Sequence, residues 1–140
     1  MKEESGRSMV EIVGVLAIGV IMIAAAFSMY RSIDQRQKRL IASETIEDVA
    51  KKTKILYEFS NYKNVSIEDL YNKKAISDMR APIGTSWDLK PENEFSEFSI
   101  TLSGLSASEC KYFKTKKSDW AYDKKDYCSA KPAYITFYVR

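Results

Sequence analysis

The sequence contains no histidine, two cysteines, three prolines and five glycines. Without histidine, the chain lacks the commonest general base and the commonest metal ligand. Two cysteines alone are too few for a structural zinc site. The motifs G-x-x-x-x-G-K-[ST], G-x-G-x-x-G and G-x-S-x-G are also absent. These absences argue against an enzyme, and we predict no catalytic residue, no metal ligand and no cofactor.

The charges nearly cancel, with 22 basic and 19 acidic residues and a net charge of +3. Such a balance gives no strong case for nucleic-acid binding, which requires clustered basic residues. Aromatic residues make up 12% of the chain and hydrophobic residues 45%, as in chains with a folded core. The 140 residues suffice for one domain and one long additional element.

One apolar run dominates the N-terminal part of the chain. Residues 12–30 are apolar except for Ser28, and Arg31 follows them. A helix of this length spans roughly 28 Å at 1.5 Å per residue, close to the ~30 Å hydrocarbon core of a bilayer. We therefore predict a membrane-spanning helix. A cleaved signal peptide is the alternative, with Ala24–Ala26 resembling a cleavage site, but the acidic residues near the start do not fit a basic n-region.

After Arg31 the pattern becomes amphipathic without a proline or glycine to interrupt it. Apolar or small residues recur at steps of three and four, which is one face of a helix. We predict one helix from about Val10 to Phe59. The predicted face consists of Ala42, Ile46, Val49, Thr53, Leu56 and Phe59.

The remaining chain, residues 61–140, has the mixed pattern of a small α+β domain. Two short helices are predicted, one starting at Ser66 and ending near Lys74, the other capped by Ser106 and ending near Phe113. Residues 80–94 should be loop with a short strand at 86–89. Strands are predicted at 98–102, ended by Gly104, and at 133–139. The predicted fold is α+β, with the second half of the long helix packed on a small antiparallel sheet.

Glu11 is a carboxylate at the mouth of the apolar run. An acidic side chain within a bilayer costs about 2.5–3.5 kcal/mol on insertion scales. Two explanations stay open on physical grounds. Glu11 caps a helix N-terminus at the membrane surface, where a negative charge suits the helix dipole, or it serves a function that requires the charge.

The spacing of Gly6 and Glu11 resembles the signature of the prepilin family. That signature is a short polar leader ending in glycine, four residues, a glutamate and about twenty apolar residues. The resemblance implies cleavage after Gly6 by a prepilin peptidase and methylation of the new amino terminus at Arg7, where the family usually has Phe or Met. It also implies that the Glu11 carboxylate pairs with the amino terminus of a neighbouring subunit, as a charge in an apolar environment requires.

Cys110 and Cys128 are the two cysteines, and a membrane anchor that places the domain outside the cytoplasm permits a disulfide between them. Two free buried thiols are the alternative. The residues around Cys110 are similar to type IVb pilins, in the order strand, Gly104-Leu105 turn and cysteine-bearing helix. The segment Pro82-Ile83-Gly84 also looks like a Pro-Phe-Gly turn of that branch.

The resemblance implies three segments. Residues 1–6 would be the leader, residues 7–60 the helix (spanning at about 12–30, amphipathic at 31–60), and residues 61–140 the head domain. It implies a pilus subunit held in the bacterial inner membrane with a periplasmic head, and then assembled into an extracellular filament. Its partners would be further copies of itself, other pilins and the pilus assembly machinery.

Two alternative functions and one alternative partner fit parts of the sequence. A secretion pseudopilin shares the N-terminal signature, although the cysteine pair favours a pilin. An anchored periplasmic binding domain that never polymerises would not need Gly6 and Glu11 together. DNA binding through the lysines and aromatic residues of 111–127 is less favoured than a solvated loop, because acidic residues dilute the charge.

Overall fold

The structure is a computed structural model that describes the backbone of residues 2–140 and the side chains of residues 8–140. It is α+β, as predicted, with a long N-terminal helix and a four-stranded antiparallel sheet in the order β1-β2-β4-β3. The chain divides into two compact units, residues 1–37 and 38–140. The elements in chain order are α1 (Lys2–Leu56), α2 (Ile67–Asn72), β1 (Ser86–Glu92), β2 (Glu97–Leu105), α3 (Ala107–Thr115), β3 (Asp123–Tyr127) and β4 (Ala133–Val139).

The N-terminal unit contains the first part of α1, and its large apolar side chains are exposed. From Met9 to Ile33 they are between 54% and 73% accessible. Among the described residues, one helix is long and apolar enough to cross a membrane, with a mean hydropathy of 2.6 in its most apolar window. Leaving this much apolar surface in water is unfavourable at roughly 25 cal/mol per Å². The segment therefore requires lipid or other protein around it.

In the larger unit, the second part of α1 contributes a buried stripe to the core. The stripe has the spacing of one helix face, so each member projects to the same side of α1. Its apolar members share a core with the inner face of the sheet. The buried residues of α1 in this unit are Ala42, Ser43, Ile46, Val49, Ala50 and Thr53, and the buried Tyr57 follows directly after the helix end.

The predicted stripe is wrong at its C-terminal end. Tyr57 is buried there, whereas Leu56 is 41% and Phe59 is 98% exposed. The helix also ends at Leu56 rather than at Phe59, and it begins at Lys2 rather than near Val10. The reason is packing, because the ring of Tyr57 contacts Tyr62, which in turn contacts Phe98 in the core.

The sheet follows the alternation expected of a half-buried antiparallel sheet. Phe98, Ile100 and Leu102 of β2 are fully buried. On the opposite face Thr101 is partly exposed, whereas Ser99 and Thr136 are buried there. The register pairs Ile100 with Phe137 of β4. The central strands β2 and β4 thus supply much of the core that α1 covers.

Two predictions for the sheet need correction, and one strand was not predicted. Gly104 does not end β2 but lies at a register shift within it, with φ of 71°. The first strand runs to Glu92 and includes Pro91, which is tolerated because β1 is an edge strand. The strand Asp123–Tyr127 was not predicted, because its sequence, Asp-Lys-Lys-Asp-Tyr, has no apolar alternation.

Candidate functional site

Glu11 lies on α1 as the only charged residue between Ser8 and Tyr30. It is exposed and lines a shallow hollow of about 330 Å³ with Ser8, Ile12, Val15 and Leu16. Because α1 begins at Lys2, Glu11 lies about two and a half turns inside the helix at 3.6 residues per turn. The helix dipole acts on charges within the first turn. Helix capping therefore does not account for Glu11 in the full-length chain.

The predicted cleavage site Gly6 and methylation site Arg7 precede this hollow in the sequence. Both residues lie outside those whose side chains the structure describes. Their roles stay predictions.

Cys110 and Cys128 are joined by a disulfide, with their Cα atoms 5.7 Å apart. Cys110 lies on α3 and is fully buried, and Cys128 directly follows β3. The start of α3 is fixed by a capping box, in which Ser106 accepts the Glu109 backbone N–H and Glu109 accepts that of Ser106. The bridge consequently ties a well-formed helix to the unpredicted strand β3.

The lysine-rich segment between the cysteines is also held by non-covalent contacts. The Lys124 ammonium donates to the carbonyl oxygens of Phe113 and Lys116, both at 2.8 Å, at the C-terminal end of α3. Partial burial lowers the pKa of Lys124. The ring of Trp120 lies 5.0 Å from that of Phe137, centroid to centroid. This segment is therefore packed on the head rather than a free basic arm.

A polar cluster of Glu97, Tyr122 and Arg140 lies at the end of the sheet where β2 and β3 begin and β4 ends. The Tyr122 hydroxyl donates to the Glu97 carboxylate, and Arg140 Nε donates to it at 3.2 Å. The Arg140 guanidinium also lies over the Tyr122 ring at 4.2 Å. The pKa of Glu97 is held below its usual range, mainly by the Tyr122 hydrogen bond and also by Arg140. The same hydrogen bond raises the pKa of Tyr122.

We expect this cluster to make head stability depend on pH. The folded-state pKa of Glu97 is lowered. The contribution of its carboxylate to the free energy of unfolding is therefore present above the unfolded-state pKa and is lost as pH falls through the folded-state pKa. Glu97→Gln should thus destabilise the protein at neutral pH, with a smaller difference from wild type in acid. Urea unfolding at a series of pH values measures this. Glu94→Gln, at an exposed hairpin residue, is the control, and a pH-independent loss for Glu97→Gln would contradict the prediction.

Glu11 belongs to the N-terminal unit, and the disulfide belongs to the larger unit. Across the described residues, no group of three or more histidine, cysteine or acidic side chains is placed to hold a metal ion. Comparison of the sequence with protein-family models and with curated proteins gives no match.

Proposed function

We propose that this chain is a structural subunit of a type IV pilus-like filament, assembled through its apolar N-terminal helix. The observation that carries the proposal is the carboxylate of Glu11 on an otherwise uncharged stretch of α1, residues 8–30, whose large apolar side chains are exposed. Such a helix is soluble in lipid before assembly and can be buried against like helices afterwards. The folded larger unit, residues 38–140, would then form the filament surface.

The carboxylate favours assembly over simple anchoring on energetic grounds. A helix that only anchors a domain gains nothing from a carboxylate at the mouth of its apolar segment, where burial in lipid is unfavourable, by up to about 2.5–3.5 kcal/mol at the bilayer centre. A filament subunit can offset that cost with the cationic amino terminus of a neighbour, because an isolated charge in an apolar environment requires a partner. The predicted amino terminus, at Arg7, is four residues from Glu11.

The disulfide-linked head supports the same proposal. Disulfides persist in oxidising compartments such as the periplasm and the cell surface. The Cys110–Cys128 bridge therefore agrees with a head on the outer side of the membrane. A secretion pseudopilin would share the N-terminal features, and the position of the subunit in isolated filaments distinguishes it from a pilin.

Removal of the leader is the first test of this proposal. Intact mass spectrometry of the membrane-extracted protein should show loss of residues 1–6 and one added methyl group on Arg7. The mass should stay at the full-length value in cells without a prepilin peptidase, which is the matched control. A mature chain starting at Met1 or beyond Ala26 would contradict the proposal.

Imaging provides the second measurement. We expect labelled subunits along or at the tip of filaments sheared from the source cells. If the protein is processed but never occurs in a filament, a non-polymerising anchored domain becomes the better explanation.

A further inference from the structure

The two cysteines of the disulfide lie in unlike environments. Cys110 is fully buried on α3, where its backbone N–H donates to the Ser106 carbonyl oxygen at 2.9 Å. Cys128 packs against the core but is only partly buried. The rate of thiol–disulfide exchange depends on access to the sulfur atom and on which sulfur is attacked. A molecule in solution therefore reaches Cys128 more readily than Cys110.

A four-residue turn contains Cys128. The turn runs from Tyr127 to Ala130, whose backbone N–H donates to the Tyr127 carbonyl oxygen at 3.2 Å. This is the hydrogen bond of a β-turn, so Cys128 and Ser129 are its two central residues. Ser129 is exposed. Connecting segments of this kind run over the protein surface, which explains why Cys128 remains accessible although its partner is buried.

Contacts that do not involve the bridge hold this turn and α3 in place. The Tyr127 ring stacks on that of Tyr134 with the centroids 4.4 Å apart, and the same two residues are paired between β3 and β4. On the other side of β3, Lys114 of α3 forms an ion pair with Asp126 at 3.5 Å. Together with the hydrogen bonds from Lys124 to the end of α3, these contacts should keep the head folded when the bridge is reduced.

We propose that Cys128 is the site at which the head exchanges disulfides with an external low-molecular-weight disulfide such as oxidised glutathione. In the reduced head, the Cys128 thiolate attacks one sulfur of the external disulfide, forms a mixed disulfide and releases the other half as a thiolate. The Cys110 thiolate then attacks the Cys128 sulfur, closes the bridge and releases the second half. The two cysteines are oxidised, the external disulfide is reduced, and the two cysteine protons pass to the two released thiolates.

The order of these two steps follows from the burial of the sulfurs. A first attack by Cys110 would require α3 to open, because Cys110 is fully buried. The second step needs no access from solvent, since the two Cα atoms are 5.7 Å apart in the folded head and the buried sulfur already faces Cys128. Reduction follows the same path in reverse, with an external thiolate attacking Cys128 and Cys110 leaving. All of these groups belong to the larger unit, so the inference goes beyond the proposed filament function and does not depend on assembly.

Two single-cysteine variants of the detergent-solubilised full-length chain test the assignment. Because the chain has two cysteines, Cys110→Ala leaves only Cys128 and Cys128→Ala leaves only Cys110. Oxidised glutathione is the probe, and intact mass spectrometry follows the adduct with time. In native buffer Cys128 should react about tenfold faster than Cys110 or more, because a buried thiol reacts only after local opening. In denaturing urea the two rates should become similar, which is the control for intrinsic reactivity. Similar rates in native buffer, or a faster reaction at Cys110, would overturn the inference.

Reduced wild-type protein provides a second measurement that does not require either variant to fold. A short pulse of iodoacetamide alkylates thiols irreversibly, and peptide mapping then compares the label at the two positions. We expect about tenfold more label at Cys128 than at Cys110 in native buffer and similar labelling in urea. Equal labelling in native buffer would show that the reduced head does not keep Cys110 buried, and it would overturn the inference without affecting the proposed filament function.

Discussion

Glu11→Ala should abolish or sharply reduce filaments when the variant is the only copy in the cell. The attraction between Glu11 and a neighbouring amino terminus requires two subunits, so its loss should affect assembly and not folding. Membrane insertion should be unchanged or slightly favoured, because the variant removes a charge from the apolar run. Leader removal and head stability should also be unchanged, since Glu11 makes no contribution to the head core.

The measurement is sheared-filament yield beside membrane-fraction abundance for the same strain. Glu44→Ala, which removes an exposed carboxylate from the part of α1 in the larger unit, is the matched control and should assemble like wild type. Glu11→Gln separates charge from size, and we expect it to behave like the alanine variant. Equal filament yield from Glu11→Ala and wild type would refute pairing at Glu11.

Cys128→Ala should lower the free energy of unfolding of the head by roughly 2–5 kcal/mol. The bridge spans a sequence separation of 18 residues. In the entropy model, closing a loop of about this length raises the free energy of the unfolded chain by about 3 kcal/mol. The folded state should persist, because Lys124 and Trp120 still attach the loop to α3 and β4. Equilibrium urea unfolding of detergent-solubilised protein measures the difference.

Cys128 is the better position for this test than Cys110. Cys110 is fully buried, so its replacement also leaves a cavity and adds a packing loss to that of the bridge. Wild-type protein treated with a reductant should match Cys128→Ala, whereas the reductant should leave the variant unchanged. Titratable free thiols in protein taken from filaments would show that the bridge is absent in the mature subunit.

Elements with a strong periodic pattern could be predicted from the sequence. The alternation at Phe98–Leu102 and the β-branched, aromatic run at 133–139 correspond to β2 and β4. The serine caps at Ser66 and Ser106 precede α2 and α3. In each case local propensity and tertiary packing favour the same structure, which is when sequence patterns are informative.

The features that could not be predicted depend on tertiary contacts. The strand β3 exists because Lys125 and its neighbours pair with Thr136 and the rest of β4. The exposure of Phe59 depends on Tyr57, whose packing against Tyr62 displaces the buried stripe by one residue. A periodic pattern identifies a helix face, but it does not show at which turn that face leaves the core.

The two edge strands of the sheet affect whether neighbouring copies of the proposed subunit can aggregate. Pro91 removes a backbone donor from β1, and β3 is five residues long with Lys124, Lys125 and Asp126 among them. Short, charged and proline-containing edges resist edge-to-edge pairing and amyloid formation. In the proposed membrane-anchored state, neighbouring heads should therefore remain individually folded rather than pair through their sheets. Their stacking into irreversible cross-β aggregates is opposed by the same backbone that forms the sheet.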